Sequence, residues 1–164
     1  MDLRAEINYP TDDPAVAYSL VVDPVFRGEV CEATQALDYD VAVEEHHDGG
    51  ATVTVNRVMS ADVADAVKRF IGETVEIVQT EEWGAPDVSG QRTADLRIKI
   101  VGQPATMNGT LQLTLTGGSV TSLISGEVKV AVPFFGKKIE PEIAKAILGA
   151  IRQEQRCATK WLGG

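Results

Sequence analysis

Apolar and polar residues alternate over most of this chain, and the period lengthens to that of a helix in four places. Leu3, Ala5 and Ile7 alternate with Arg4, Glu6 and Asn8, the period-two pattern of a half-buried strand. Two Asp-Pro pairs follow, Asp13-Pro14 and Asp23-Pro24. A carboxylate N-cap with proline at the first helical position starts a helix at each. Val16, Ala17 and Leu20 give the first its apolar side; Val25, Phe26, Val30 and Cys31 give the second. Residues 36–45 and 51–59 are predicted strands joined by the turn His47-Asp48-Gly49-Gly50. In the first, Leu37, Tyr39, Val41 and Val43 share a face; in the second, Val53 and Val55 point inward. Ser60 is expected to cap a helix with Val63, Val67, Phe70 and Ile71 as its apolar face, ended by Gly72. Strands are then expected at 74–83, 93–101, 110–116 and 120–132, an antiparallel meander with Gly126 as a bulge or bend in its last member.

The closing stretch carries Ile139, Ile143, Ala146, Ile147, Ala150, Ile151, Ala158 and Trp161 at steps of three and four, one face of a helix. Lys145, Arg152, Gln153, Arg156 and Lys160 occupy the other face. The spacing predicts a helix from about 138 to 162, with Pro141 tolerated only in its first turn. Its long apolar stripe needs a broad surface to cover it. The expected class is therefore α+β: a curved antiparallel sheet of about seven strands wrapped around one long C-terminal helix, with a helix inserted between strands 3 and 4. All of residues 1–164 are expected to form a single domain.

Composition narrows the function. Hydrophobic residues make up 44% of the chain and aromatics only 5%, so core and any cavity would be lined by Val, Ile, Leu and Ala. A net charge of −9 weighs against nucleic acid, whose phosphates need a basic surface. The charge is uneven: residues 1–50 carry twelve acids against two bases, and residues 133–164 six bases against three acids. Complementarity between the final helix and the acidic front is the favoured explanation, and weak contact with an anionic membrane surface the sharper one. The start MDLRAEINYP lacks a secretory pattern, and no run is long enough to span a bilayer. Cys31 and Cys157 are accordingly expected to be reduced thiols in a cytoplasmic protein.

Two segments carry a resemblance. Val75-Glu76-Ile77-Val78-Gln79-Thr80-Glu81-Glu82-Trp83 and Val130-Ala131-Val132-Pro133-Phe134-Phe135-Gly136-Lys137-Lys138-Ile139-Glu140 are similar to an actinobacterial family of uncharacterised proteins. That family lies in the START, pollen-allergen and polyketide-cyclase superfamily. The resemblance covers essentially the whole chain and implies a helix-grip fold with a cavity between sheet and last helix. It supplies no catalytic residues.

The residues themselves offer little chemistry. His46 and His47, beside Glu44, Glu45 and Asp48, point to opposite faces of a strand, so they read as a solvated turn and no metal or other cofactor is expected. Arg57 is different: it continues the inward parity of Val53 and Val55. A buried arginine needs an acidic partner or a ligand anion, although a strand ending early would leave it exposed. The expected ligand-binding residues are Tyr39, Val41, Val53, Val55, Arg57, Ile77, Trp83, Leu96, Ile98, Leu113, Ile143 and Ile147. They would enclose a hydrophobic small molecule such as a lipid or polyketide-like compound. A cyclase or aromatase using Arg57, Tyr39 or Trp83 is the enzymatic alternative. An interaction module for anionic membrane or protein, using Lys145, Arg152, Arg156 and Lys160, is the other.

Overall fold

A computed structural model describes residues 1–62 and 64–163, and not the side chains of Ala66 and Phe70. The elements run β1 (Asp2–Tyr9), α1 (Pro14–Val21), α2 (Pro24–Ala33), β2 (Asp38–Glu45), β3 (Ala51–Ser60), α3 (Asp65–Ile71), β4 (Thr74–Trp83), β5 (Arg92–Ile100), β6 (Ala105–Thr116), β7 (Ser119–Val130) and α4 (Gly136–Gly163). All seven strands form one curved sheet in the order β1-β7-β6-β5-β4-β3-β2, antiparallel at every pairing. The long helix lies in its concavity. This is the helix-grip arrangement, with α3 inserted between the third and fourth strands.

Both Asp-Pro signals start helices. Asp13 accepts from the Ala15 amide at 2.9 Å, and Asp23 from those of Val25 and Phe26 at 2.7 and 3.3 Å, satisfying donors that a first turn leaves orphaned. Ser60, expected as a helix cap, is instead the last residue of β3, paired with Thr74. Its helix begins at Asp65 with no side-chain cap, because the ladder with β4 holds the chain extended for longer. Val63 and the side chain of Phe70, two of the expected apolar positions, lie outside the described residues. Gly72 closes α3 at φ +88°, donating to the Lys68 carbonyl at 2.7 Å.

Two glycines fix the sheet where β6 meets β7. Gly109 is paired with Gly126, and pairing continues on both sides, so Gly126 makes no bulge. A Cβ on Gly109 would sit 2.2 Å from the Ser125 carbonyl oxygen, and one on Gly126 2.7 Å from that of Asn108. Bare backbone on both strands permits this close approach.

The last helix is 28 residues, about 42 Å long at 1.5 Å per residue. It starts two residues before the expected position, which moves Pro141 beyond the first turn. Gly136 permits that early start: a Cβ there would meet the Val130 carbonyl oxygen at 2.1 Å. Gly109→Ala is expected to destabilise the fold by about 1–3 kcal/mol or more, as backbone overpacking does, whereas Thr110→Ala, on an exposed position, should stay within about 0.5 kcal/mol. Urea unfolding of both variants measures the contrast.

Candidate functional site

The helix α4 packs on β1, β7 and α2, toward one side of the sheet. Its half-buried Ile143, Ile147 and Ile151 face across to β3, β4 and β5. Between them is a cavity of about 580 Å³, within the ~300–1,000 Å³ usual for small-molecule sites. Val55 and Arg57 line it from β3, Ile77, Gln79, Glu81 and Trp83 from β4, and Leu96, Ile98 and Ile100 from β5. Arg27, Val30 and Cys31 of α2 border it, as do Val67 and Ile71 of α3.

Of the twelve expected positions, Val55, Arg57, Ile77, Trp83, Leu96, Ile98, Ile143 and Ile147 come together on this wall. Tyr39, Val41, Val53 and Leu113 do not line it. Tyr39 lies on the edge strand β2, and its ring fills the space over Gly28 of α2, where an added Cβ would be 3.2 Å away. Its hydroxyl donates to Glu32 at 2.7 Å. Val41 packs half-buried against the main core, and Val53 and Leu113 are wholly buried within it.

One side of the cavity is polar, and sequence reasoning missed most of it. Arg27, only 4% exposed, contacts Glu81 at 2.5 Å and Glu154 at 3.5 Å. Glu81 also accepts from Gln79 at 2.7 Å and from the Trp83 indole at 2.9 Å. Tyr9 donates its hydroxyl to Glu154 at 3.3 Å. Gln79 accepts from Arg57 at 3.1 Å, so its amide bridges the two guanidinium groups by way of Glu81. Inward parity along β4 runs Val75, Ile77, Gln79, Glu81, Trp83, and would have pointed to Gln79 and Glu81. Glu154 sits three and seven residues past Ile151 and Ile147, on the same helix face.

Burial sets the protonation of these groups. It works against the Arg27 charge, but Glu81 and Glu154 more than offset it and hold the guanidinium firmly charged. Burial pushes the Tyr9 hydroxyl well up, keeping it neutral, and raises Glu154 despite the pull of Arg27. It raises the Cys31 thiol, opposed by the neighbouring Arg57 charge. Arg57 is itself lowered by burial. Among the described residues no carboxylate lies within 4.0 Å of it.

The other candidate features resolve simply. His46 meets the Thr52 hydroxyl at 2.8 Å and His47 is exposed. No group of metal-ligating side chains forms among the described residues. Lys145, Arg152, Arg156 and Lys160 are exposed and make no ion pair with the acidic front half among the described residues. Among the described residues the ionic contacts between front half and last helix run the opposite way, from Arg27 to Glu154 and from the Met1 ammonium to Glu140. No helix among the described residues is long and apolar enough to cross a membrane.

The chain belongs to the family described as "Protein of unknown function (DUF2505)", which matches residues 2–162. It is 30% identical over 113 residues to the uncharacterized protein Rv0481c of Mycobacterium tuberculosis, a match covering 67% of this chain and 64% of that relative. The chain thus spans just under two thirds of that relative's length. Among solved structures it is similar to TTHA0849 from Thermus thermophilus, with a TM-score of 0.61 and 17% identity over 98% of this chain and 95% of that one. It is also similar to the Zhui aromatase/cyclase from Streptomyces sp. R1128, with a TM-score of 0.56 and 8% identity over 96% and 87%. At these identities the likeness is one of fold, the helix-grip arrangement of a curved antiparallel sheet around a long last helix.

The Arg27–Glu81 pair tests the polar wall. Arg27→Met should lower stability by about 3–5 kcal/mol, because it strands a buried carboxylate. Adding Glu81→Gln, which keeps an acceptor for Trp83, should restore much of the loss. Chemical denaturation of the wild type, both single variants and the double variant reads the coupling.

Proposed function

We propose that this member of the family holds a hydrophobic small molecule, of the lipid or polyketide-like class, in the cavity between α4 and strands β3 to β5. The cavity carries the reading. Its long walls are Ile, Val, Leu and Ala, so a guest gains affinity from apolar area, at roughly 25 cal/mol per Å². The ionisable groups at its polar side are largely tied to one another, which favours holding a guest over transferring protons to it. Cys31 and Cys157 are unbridged, and reduced thiols fit a cytoplasmic setting.

A second reading has its own observation. Phe134 is 96% exposed and Phe135 59%, and Lys137 and Lys138 follow them in the chain, both exposed. Exposed aromatics beside lysines suit the interface of an anionic membrane. This tip leads directly into the end of α4 whose Glu142 and Ile143 line the cavity, so weak, transient membrane contact would serve loading.

The neutral probe N-phenyl-1-naphthylamine should bind the wild-type protein with enhanced fluorescence. Ile98→Trp combined with Ala150→Trp, which fills the cavity, should abolish the enhancement while leaving a cooperative melt. No enhancement with the wild type would overturn the cavity reading. For the tip, co-sedimentation with phosphatidylserine-containing vesicles should fall several-fold in Phe134→Ala/Phe135→Ala and in high salt; indifference to both removes the membrane reading.

A further inference from the structure

Arg57 is the polar group whose partners do not match its charge. It lies seven residues into β3, with Ile77 and Tyr39 as its cross-strand neighbours, and its side chain borders the cavity. A guanidinium carries five N–H donors and one positive charge. The carboxylates nearby are already engaged. Glu81 receives Arg27, Gln79 and the Trp83 indole; Glu154 receives Tyr9 and Arg27. What remains for Arg57 is the neutral Gln79 oxygen at 3.1 Å, with the Cys31 thiol bordering the same cavity. Among the described residues no fully enclosed side-chain nitrogen or oxygen lacks a partner. The unmatched donors of Arg57 are therefore not sealed into protein, and the residue lines the cavity.

A cation in an apolar recess with a neutral partner is costly unless something anionic joins it. Gln79 adds to this arrangement. Its oxygen faces Arg57 and its nitrogen faces Glu81, so it orients the guanidinium while standing between that group and the carboxylate that would otherwise neutralise it. Ile77, Ile98 and Ile100 on the sheet and Ile143 and Ile147 on the helix give the same cavity a broad apolar wall, with Thr34, Gln35, Ser60, Asp62 and Glu142 also on its lining.

Building on the reading that the cavity holds an apolar guest, we infer that the guest is a monoanionic amphiphile: a hydrocarbon-like body ending in a carboxylate that Arg57 binds. A carboxylate matches the planar fork of a guanidinium. One head group is all this wall accommodates, because the Arg27 charge is spent within the protein.

The test uses three probes of one chain length: tetradecanoic acid, its methyl ester and tetradecan-1-ol. Each is titrated by calorimetry into wild-type protein and into the Arg57→Gln and Arg57→Lys variants, with melting curves verifying the fold. The acid is expected to bind the wild type at least about tenfold more tightly than the ester or the alcohol, the scale of a charge-assisted hydrogen bond. Arg57→Gln should erase that preference while changing ester affinity by less than about twofold. Arg57→Lys should retain part of it, a point charge replacing a fork. If acid, ester and alcohol bind the wild type equally, the anionic class is wrong and the apolar cavity reading survives. If none of the three binds, both fall. If the acid keeps its advantage in Arg57→Gln, Arg57 is not the residue that holds it.

Discussion

Everything in this molecule follows from where α4 is pinned. Its first turn sits on the Val130 carbonyl through a residue without a side chain, and Ile139 seals that end with Val67, Ala105 and Val130. At its far end Trp161 meets the edge of Phe26 with ring centroids 5.5 Å apart and donates to Glu29 of α2. Between these anchors the helix runs along β1 and β7. A seven-stranded sheet is wider than one helix can cover, so the strands farther across face the helix without reaching it. Burial at both ends holds the middle away from β4 and β5, and the cavity is the space left over.

Charge inside that space is distributed unevenly, and the geometry explains how it is tolerated. Arg27 draws two carboxylates from two other elements, β4 and α4, so a single guanidinium on α2 ties three parts of the chain together. Interactions of this kind strengthen as water is excluded, but each ion also loses its hydration. Glu81 recovers the loss through three donors. The polar side of the cavity is thus rigid by construction, and a rigid wall presents Arg57 in one orientation.

Much of the architecture was legible in the residues, because alternation and Asp-Pro caps are local signals that tertiary packing rarely reverses. Ser60 and Pro141 show where such signals fail. A serine before an apolar run looks like a cap, yet a cross-strand ladder is the stronger claim on it. A proline looks like a first-turn residue, yet a glycine against a carbonyl lets the helix begin earlier. On the cavity wall, Arg57 stood out because it interrupted an apolar row. Glu81 did not, because Val78 puts an apolar residue on the outward parity of β4 while Gln79 and Glu81 put polar ones on the inward parity, so parity marks the position but the apolar row there is already broken. Tyr39 shares the inward parity of its strand, but parity places a side chain on a face and says nothing of what already stands in front of it.

The sheet is open, and β2 is one of its two margins. Asp38, Asp40, Glu44 and Glu45 lie along that margin, all exposed, where the backbone amides and carbonyls on one side have no neighbour strand. A second copy approaching edge to edge would set acid against acid. Like charges opposed across a ladder disfavour pairing, and charged margins are a common guard against strand-by-strand aggregation. These four acids of the first fifty residues thus give the open margin a like-charged border, one that opposes growth of the sheet into a neighbouring copy.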